Sequence, residues 1–313
     1  MRIVLPGALP DPHEARELLP HLERSAPTLA AWFRTARAQS HTADPANTGC
    51  TPFEYWQLLQ HGFTPPAGKN FATGLGPLYA GPTVSDDKPV WLAELVHVSP
   101  SREGAALLPA DELNITAQDS VALFDSVHAL ARESGFELEQ TSNERWRIHL
   151  PEECEPVTVA SPTLVSLTSV NDWWDLDDRS RSWRRLANEI QMLWFDHPVN
   201  QLRYERQQVP INSLWLFGGA LKKNLVMLHA NTHTQLLLNL QEAATRHDWG
   251  LWLQALQTLE TQIFAPLAKG PAPELVLTGT QRFVVLEPRK RLGLLAHLTV
   301  NKTSWRNWWS PQN

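Results

Sequence analysis

Between positions 197 and 212 the sequence brings together five polar side chains whose types suit the binding of an anion: His197, Asn200, Arg203, Arg206 and Asn212. An arginine guanidinium presents a planar fork of N–H groups that matches a phosphate or a carboxylate. We therefore predict that these five residues contact a phosphorylated or carboxylate small molecule. A structural explanation stands beside this one, because Asn200 and Asn212 would also satisfy backbone groups where a helix leads into a strand.

The residues around this group predict the elements that would position it. From Ser182 to Phe195 apolar residues recur at helical spacing, which predicts an amphipathic helix that ends just before His197. From Val209 to Phe217 the sequence contains a run of large apolar side chains and then meets paired glycines, which is typical of a buried strand. The five polar residues therefore lie in the connection between a helix and a strand, or beside it.

The remaining pattern predicts a mixed α/β protein. Residues 2–5 form a short apolar run expected to be the first core strand, and residues 90–150 read as a strand-helix-strand-strand module whose helix begins after Thr116. Strands at 211–216 and 275–277 are separated by helices at 236–246 and 249–267, so we expect the two strands to share a parallel sheet. Glycine and proline concentrate between 64 and 89, which predicts a domain boundary there.

The composition restricts the class of protein. The chain has 313 residues, 42% of them hydrophobic, and a mean hydropathy of -0.30, which predicts a soluble protein with a substantial core. A net charge of -6 argues against nucleic acid as a partner, and no apolar run approaches the roughly 18 residues that would indicate a membrane span. Two cysteines far apart in sequence, Cys50 and Cys154, predict a cytoplasmic protein.

Tryptophan is unusually frequent, with 14 residues against 3 tyrosines. We expect most of these rings to pack in a core, because each can bury a large area. Contact with a protein partner is the alternative, and the segment Trp305–Trp309 is its candidate surface. Trp173 and Trp174 lie in an acidic loop, which we expect to be solvated with the rings turned inward. A cation held by the aspartates of this loop is the alternative, although nearby arginines could pair with them: Asp172, Asp175, Asp177, Asp178, Arg179, Arg181, Arg184 and Arg185.

Several short motifs follow one another in an order that resembles a known family. A helix ends in His197-Pro198-Val199-Asn200, an arginine follows three residues later, and Pro210-Ile211-Asn212 leads to Gly218-Gly219. This order resembles the archaeal-type cofactor-independent phosphoglycerate mutases of the alkaline-phosphatase-like superfamily. It is still more similar to a bacterial group of RpfE-type regulatory, phosphoglycerate-mutase-like proteins. The resemblance implies a mostly parallel sheet flanked by helices, formed by residues 1–89 and 209–313, with an inserted α+β cap at 90–208.

The chain departs from the family where catalysis would take place. The resemblance implies two divalent cations held by aspartate and histidine, but Pro6 stands at one such position, and Thr280 and Gln281 stand at two others. In the helix that leads to the second of these segments, Glu260 stands where the family has aspartate. The nucleophile would fall at Cys50 or Thr51, where the rest of the family motif is missing. We therefore predict no metal ligands and no cofactor, and name Cys50 and Thr51 only as the candidates for a catalytic role.

Three functions remain open at this stage. The first is a non-catalytic, degenerate phosphoglycerate-mutase-like protein with a regulatory or ligand-binding role. The second is an active phosphoglycerate mutase or metal-dependent phosphohydrolase with displaced ligands, which would use Mn, Mg or Zn. The third is a protein-interaction module that uses the tryptophan-rich C-terminal segment. The sequence leaves it uncertain whether the protein is an enzyme.

Overall fold

The computed structural model describes residues 1–81, 87–102, 104–226, 233–289 and 305–311. The strands in these ranges are β1 (Arg2–Leu5), β2 (Ala36–Thr42), β3 (Pro89–Ser101), β4 (Gly104–Leu108), β5 (Glu137–Gln140), β6 (Arg145–His149), β7 (Ser213–Leu221), β8 (Thr234–Leu236), β9 (Glu274–Thr278) and β10 (Arg282–Pro288).

The α-helices in the same ranges are α1 (Pro12–Ser25), α2 (Pro27–Thr35), α3 (Pro45–Thr48), α4 (Pro52–Gln60), α5 (Leu75–Tyr79), α6 (Ala110–Leu113), α7 (Ala117–Glu133), α8 (Pro162–Leu167), α9 (Val170–Trp173), α10 (Arg181–Phe195), α11 (Pro198–Glu205), α12 (Gln241–Thr245), α13 (Trp249–Leu259), α14 (Ala265–Leu267) and α15 (Arg306–Trp309). A π-helical segment, Glu260–Phe264, joins α13 to α14. Short 3₁₀ turns occupy Phe71–Gly74, Asp178–Ser180 and Lys222–Asn224.

The chain folds into two compact units, each with its own sheet. Unit 1 consists of residues 1–45 and 229–313, and unit 2 consists of residues 46–228. Both sheets have five strands and are flanked by helices, so the predicted mixed α/β class is confirmed. The units divide the chain at 45/46 and 228/229, whereas the sequence suggested 89/90 and 208/209. Residues 46–89 belong with unit 2 because Gly76 packs against the strands of that unit, where an added Cβ would lie 2.0 Å from the Val90 carbonyl oxygen.

In unit 1 the strand order is β2-β10-β9-β1-β8. The predicted first strand is confirmed: β1 is buried and runs parallel to both β8 and β9, while β10 runs antiparallel to β9 and β2. Apolar side chains from α1, α2 and α13 cover this sheet, among them Leu18, Phe33 and Leu256. Parallel strands bring the ends of β1 and β9 to one edge of the sheet, which is where open α/β sheets place their ligands.

In unit 2 the long strand β3 is the centre of the sheet. It pairs antiparallel with β4, β6 and β7, and β6 pairs in turn with β5. Helix α7 begins after its N-cap residue Thr116, whose side chain and backbone exchange capping hydrogen bonds with Asp119. The helix packs on β5. The predicted module at 90–150 is therefore present as expected from its strand and helix patterns.

Three expectations about individual elements, two for a strand and one for a helix, are wrong. The strand predicted at 211–216 does not share a parallel sheet with 275–277, because β7 pairs antiparallel with β3 in unit 2. That strand also continues through the paired glycines, which adopt positive φ angles of 98° and 108° at Gly218 and Gly219. Leu236, expected to begin a helix, ends β8 instead, and the helix α12 starts five residues later.

Candidate functional site

Asn200 and Asn212 both use their side chains to bond backbone groups. Asn200 is 1% exposed; its Nδ2 donates to the carbonyls of Trp194 and Ile211 at 2.8 Å each, and its Oδ1 accepts from the Ile211 N–H at 2.8 Å. Asn212 exchanges two hydrogen bonds of 2.8 Å with the backbone of Val98. The two amides thus hold the end of α10 and the start of β7 in place.

Arg203 is the more deeply buried of the two predicted arginines, at 2% exposure. Its Nε donates to the Val209 carbonyl at 2.8 Å and its Nη2 to the Leu113 carbonyl at 2.5 Å, while Nη1 lies 3.4 Å from Asp119 Oδ2. Burial lowers the pKa of the guanidinium, and the Asp119 carboxylate opposes this shift. The fork of N–H groups expected to hold a ligand is therefore engaged with α6, α7 and the segment before β7.

His197 and Arg206 bound α11 at its two ends. His197 is the N-cap residue, and its Nδ1 accepts the Val199 N–H at 3.2 Å; burial lowers the pKa of its imidazole, which favours the neutral ring that this bond requires. Arg206 is the C-cap residue and is exposed. Four of the five predicted residues therefore use their side chains in hydrogen bonds within the protein. The fifth, Arg206, is exposed to solvent.

Cys50 and Thr51, the candidates for a nucleophile, lie beside a buried carboxylate. Thr51 is the N-cap residue of α4; its hydroxyl donates to Glu54 Oε2 at 2.9 Å and accepts the Glu54 N–H at 3.3 Å. The same carboxylate oxygen accepts from the Thr51 N–H at 2.8 Å and from Ser161 Oγ at 2.7 Å. Burial, and to a lesser degree Glu54, raises the pKa of the fully buried Cys50 thiol well above 9.0, so the sulfur is protonated and weakly nucleophilic.

The carboxyl edge of the parallel strands in unit 1 is filled by protein groups. The indole N–H of Trp252 donates to the Gly7 carbonyl at 2.9 Å, and that of Trp309 donates to the Ala8 carbonyl at 3.3 Å. Both rings are buried, with exposures of 1% and 0%. A Cβ added to Gly279 would lie 2.5 Å from the Leu9 carbonyl oxygen, so the loops after β1 and β9 are in direct contact.

The positions that the family resemblance compares with metal ligands, and Glu260 in the helix before them, also lie in unit 1. Thr280 Oγ1 donates to Asp11 Oδ1 at 2.7 Å. Glu260 is 6% exposed; its Oε1 accepts the Thr28 N–H at 3.1 Å, and its Oε2 has no hydrogen-bond partner among the described residues. Across the ranges that the structure describes, no three His, Cys, Asp or Glu side chains lie close enough together to hold a metal ion.

A cleft that sequence reasoning did not foresee lies within unit 2. We call it the tryptophan cleft, and its lining includes four indole rings and two charged groups: Trp173, Trp174, Trp183, Trp215, Asp175 and Arg184. It is partly open to solvent and shallow, with a cavity volume of about 20 Å³. In the sequence, only the adjacent pair Trp173 and Trp174 indicated an aromatic cluster. Trp183 and Trp215 belong to α10 and β7, and the fold alone brings them to the cleft. The expectation of inward-turned rings agrees with Trp174, whose ring centroid lies 5.9 Å from that of Trp215.

Comparison with known proteins gives distant structural likenesses only. No protein-family profile matches the sequence, and no curated protein matches it either. Among solved structures, the fold is similar to the cofactor-independent phosphoglycerate mutase from Thermoplasma acidophilum DSM 1728, with 13% identity, a TM-score of 0.37, and coverage of 93% of this chain and 90% of that one. It is also similar to the PH0037 protein from Pyrococcus horikoshii, with 12% identity, a TM-score of 0.45, and coverage of 92% and 86%. No described helix is both long and apolar enough to cross a membrane.

Proposed function

We propose that this chain is a non-catalytic, phosphoglycerate-mutase-like protein of the alkaline-phosphatase plan, which acts in the cytoplasm by binding a small phosphorylated or carboxylate molecule in a regulatory role. In this proposal unit 1 corresponds to the core domain and unit 2 to an enlarged inserted cap. The closer likeness to RpfE-type regulatory proteins belongs to the same proposal and depends on the motifs between His197 and Gly219.

The observation that carries the proposal is the filled carboxyl edge of the unit 1 sheet. An α/β protein of this kind needs an open crevice at that edge to admit a substrate. Here Trp252 and Trp309 bond the carbonyls of Gly7 and Ala8 and are themselves buried. A phosphoryl group could reach these strand ends only after the two indoles had been displaced from the core.

The side chains at the matched positions do not fit a two-metal centre. Pro6 offers no ligand atom, and the Thr280 hydroxyl is bonded to Asp11. Glu260 is a carboxylate with one unpartnered oxygen, and this is the observation that favours the enzyme alternative. A single such carboxylate does not supply the several oxygen and nitrogen ligands that each cation of a two-metal site needs.

The nucleophile candidates support the same conclusion. A thiolate is the reactive form of cysteine, and burial of Cys50 disfavours it. The Thr51 hydroxyl caps α4 and bonds Glu54, so its withdrawal would cost the helix its N-cap. Both side chains therefore have structural roles that need no chemistry to explain them.

The interaction-module alternative required an exposed tryptophan-rich segment. Trp305 and Trp309 are 1% and 0% exposed, and the ring of Trp308 packs against Phe33 with centroids 5.1 Å apart. Within the described segment 305–311 these rings belong to the apolar core of unit 1. We therefore favour the regulatory proposal over the interaction module, whose proposed surface was this segment.

Metal content and phosphotransfer together test the proposal. The purified protein is analysed for bound metals by mass spectrometry and assayed for interconversion of 3-phosphoglycerate and 2-phosphoglycerate with added Mn²⁺, Mg²⁺ or Zn²⁺. We expect no stoichiometric metal and no turnover. About two metals per chain, together with turnover that a chelator abolishes and that Thr51→Ala or Cys50→Ser removes, would establish the enzyme alternative instead.

A further inference from the structure

Strand β2 forms one edge of the unit 1 sheet. It pairs antiparallel with β10 along its whole length, from Ala36 to Thr42, and the register does not shift. Within the described ranges no other strand lies on its outer side. A regular edge strand of seven residues offers a row of backbone donors and acceptors to another chain.

Two hydrogen bonds show which backbone groups of β2 point outward. The Ala43 N–H donates to the Gln281 carbonyl at 2.8 Å, and on the other side of β10 the Gly279 N–H donates to the Arg282 carbonyl at 2.9 Å. Since bonded and non-bonded pairs alternate along an antiparallel ladder, the odd-numbered residues of β2 bond β10. The even-numbered residues therefore turn their N–H and C=O groups away from it: Ala36, Ala38, Ser40 and Thr42.

Three of these outward N–H groups are available to a partner. The Ala36 N–H closes α2 by donating to the Trp32 carbonyl. Those of Ala38, Ser40 and Thr42 donate to no group in the part of the chain that the structure describes. Ser40 and Thr42 are exposed and Ala38 is half-buried, so another strand can reach all three.

The edges of the unit 2 sheet are protected in ways that β2 is not. On β4, the Ala105 N–H donates to Asn171 Oδ1 at 3.1 Å, and the Ala105 carbonyl accepts from Ser169 Oγ at 3.4 Å. Strand β5 carries two glutamates among its four residues. Strand β2 has no proline, no lysine and no acidic residue, and Arg37 is its only permanently charged side chain. It therefore lacks most of the features that keep an edge from pairing.

From this edge we propose that the chain pairs with a second copy of itself through β2, so that two unit 1 sheets join into one. A twofold axis makes the two strands antiparallel. Placing the axis at Gln39, the middle residue of β2, allows all seven residues to pair. The three outward N–H groups of each copy then donate to carbonyls of the partner's Ser40, Ala38 and Ala36.

The side chains of β2 suit this self-pairing. Across the axis, Ala38 lies opposite the partner's Ser40, and both side chains are small enough for close approach. Gln39 lies opposite the partner's Gln39, and their amide groups can bond each other. A strand that is opposite itself in this way needs no second kind of sequence to complete its edge.

The charges at the two ends of β2 are complementary. Arg34 lies just before the strand and Asp44 just after it, so antiparallel pairing brings each towards the other residue of the partner copy. Arg37 lies opposite the partner's His41. The register partner of Arg37 on β10 is Glu287, which supplies a negative charge beside this contact.

Sedimentation velocity of the full chain measures the association. A single strand pair buries less than the roughly 1,000 Å² typical of stable interfaces, so we expect a dissociation constant on the order of 10 µM. The sedimentation coefficient should therefore rise between about 1 and about 200 µM protein. Monomer throughout this range would overturn the proposal.

Ser40→Pro tests whether β2 is the surface. Proline removes an outward N–H while leaving the bonds to β10, and an edge strand tolerates it at such a position. The dimer should weaken by at least about tenfold, whereas the matched control Ser40→Ala, which keeps the N–H, should change the dissociation constant by less than about twofold. A Ser40→Pro variant that folds and dimerises like the native chain would contradict the proposal.

Cysteine cross-linking tests the register, and it remains informative if Ser40→Pro fails to fold. In a Cys154→Ser background, Gln39→Cys places two thiols across the axis, with Cα atoms about 4.5 Å apart. Arg37→Cys is the control, because its two thiols would lie about 13 Å apart along the strands. On mild oxidation Gln39→Cys should give a covalent dimer and Arg37→Cys should not. Equal cross-linking of the two variants, or none, would overturn the pairing, and neither result depends on metal content or phosphotransfer.

Discussion

The side chain of Asn200 pairs with the backbone of Ile211 as a neighbouring strand would. Its amide oxygen accepts the Ile211 N–H and its amide nitrogen donates to the Ile211 carbonyl, each at 2.8 Å. Ile211 is fully buried, so water cannot replace these bonds if the side chain is removed. Asn200 thereby fixes where the chain turns from α11 towards β7.

Replacing Asn200 with alanine should lower the free energy of unfolding by about 3 kcal/mol, because buried backbone donors and acceptors would lose their partners. Urea unfolding followed by far-UV circular dichroism measures the change. Gln201→Ala is the matched control: Gln201 is exposed, and we expect a change below about 0.5 kcal/mol. Equal midpoints for the two variants would contradict the structural role assigned to Asn200.

Arg203 and Arg206 should differ in what they contribute. Arg203→Gln removes the partner of Asp119 and of two carbonyls in a buried setting, and should cost about 3 kcal/mol. Arg206→Gln changes an exposed side chain and should leave stability within about 0.5 kcal/mol. A thermal shift with 3-phosphoglycerate then tests the predicted anion site, because a ligand held by Arg206 would stabilise the native chain but not the Arg206→Gln variant. A shift of the same size in both would place the anion elsewhere.

Glu54 should make stability fall as pH rises above 4.5. Burial raises the pKa of this carboxyl from 4.5, so just above that pH the folded chain keeps a proton that the unfolded chain has released. Each pH unit in that interval then lowers the free energy of unfolding by at most about 1.4 kcal/mol per such group. Glu94 contributes in the same direction, since burial raises the pKa of its carboxyl as well.

Glu54→Gln should therefore flatten the profile of unfolding midpoint against pH between 4.5 and neutrality. Glu133→Gln, at the exposed end of α7, should leave the profile unchanged. Asp177 does not interfere: Arg179 lowers the pKa of its carboxyl to about 2, so the stability it contributes is lost only as pH falls below 3.8 towards that value. An identical slope in the native chain and in Glu54→Gln would show that Glu54 is charged throughout the interval.

The Cys50 thiol should be unreactive until the protein unfolds. It is fully buried and its pKa is raised, so both access and the thiolate fraction are low. In a Cys154→Ser background, a chromogenic disulfide reagent should label no thiol in the native state and one thiol in urea. Rapid labelling of the native protein would instead support a role for Cys50 as a nucleophile.

Periodicity in the sequence predicts many helices and strands correctly, but it does not predict which strands pair. The run at 213–217 has the apolar character of a parallel core strand, yet β7 lies beside β3 because Asn212 and Gly218 fit the backbone of that strand. Strand β2 went unrecognised because it is polar and largely exposed, as edge strands often are. Its place is set by its partner β10 and not by its own pattern.

The candidate site shows the same limit in side-chain chemistry. Asparagine and arginine near a helix end can either bind an anion or form hydrogen bonds with backbone groups. No feature of the sequence distinguishes these two roles. Burial separates them, and burial is a property of the folded chain. The tryptophan cleft was hidden for a related reason, since its indoles come from α9, α10, β7 and the loop after α9.

The position of β1 between β8 and β9 bears on how the protein is made. Both described neighbours of this strand come from beyond residue 233, so its four residues wait without a sheet until most of the chain has been synthesised. Residues 46–228 form an uninterrupted stretch and can fold as soon as they leave the ribosome. The apolar residues of β1, like those of α1 and α2, therefore lack their packing partners until the C-terminal part of unit 1 has been made.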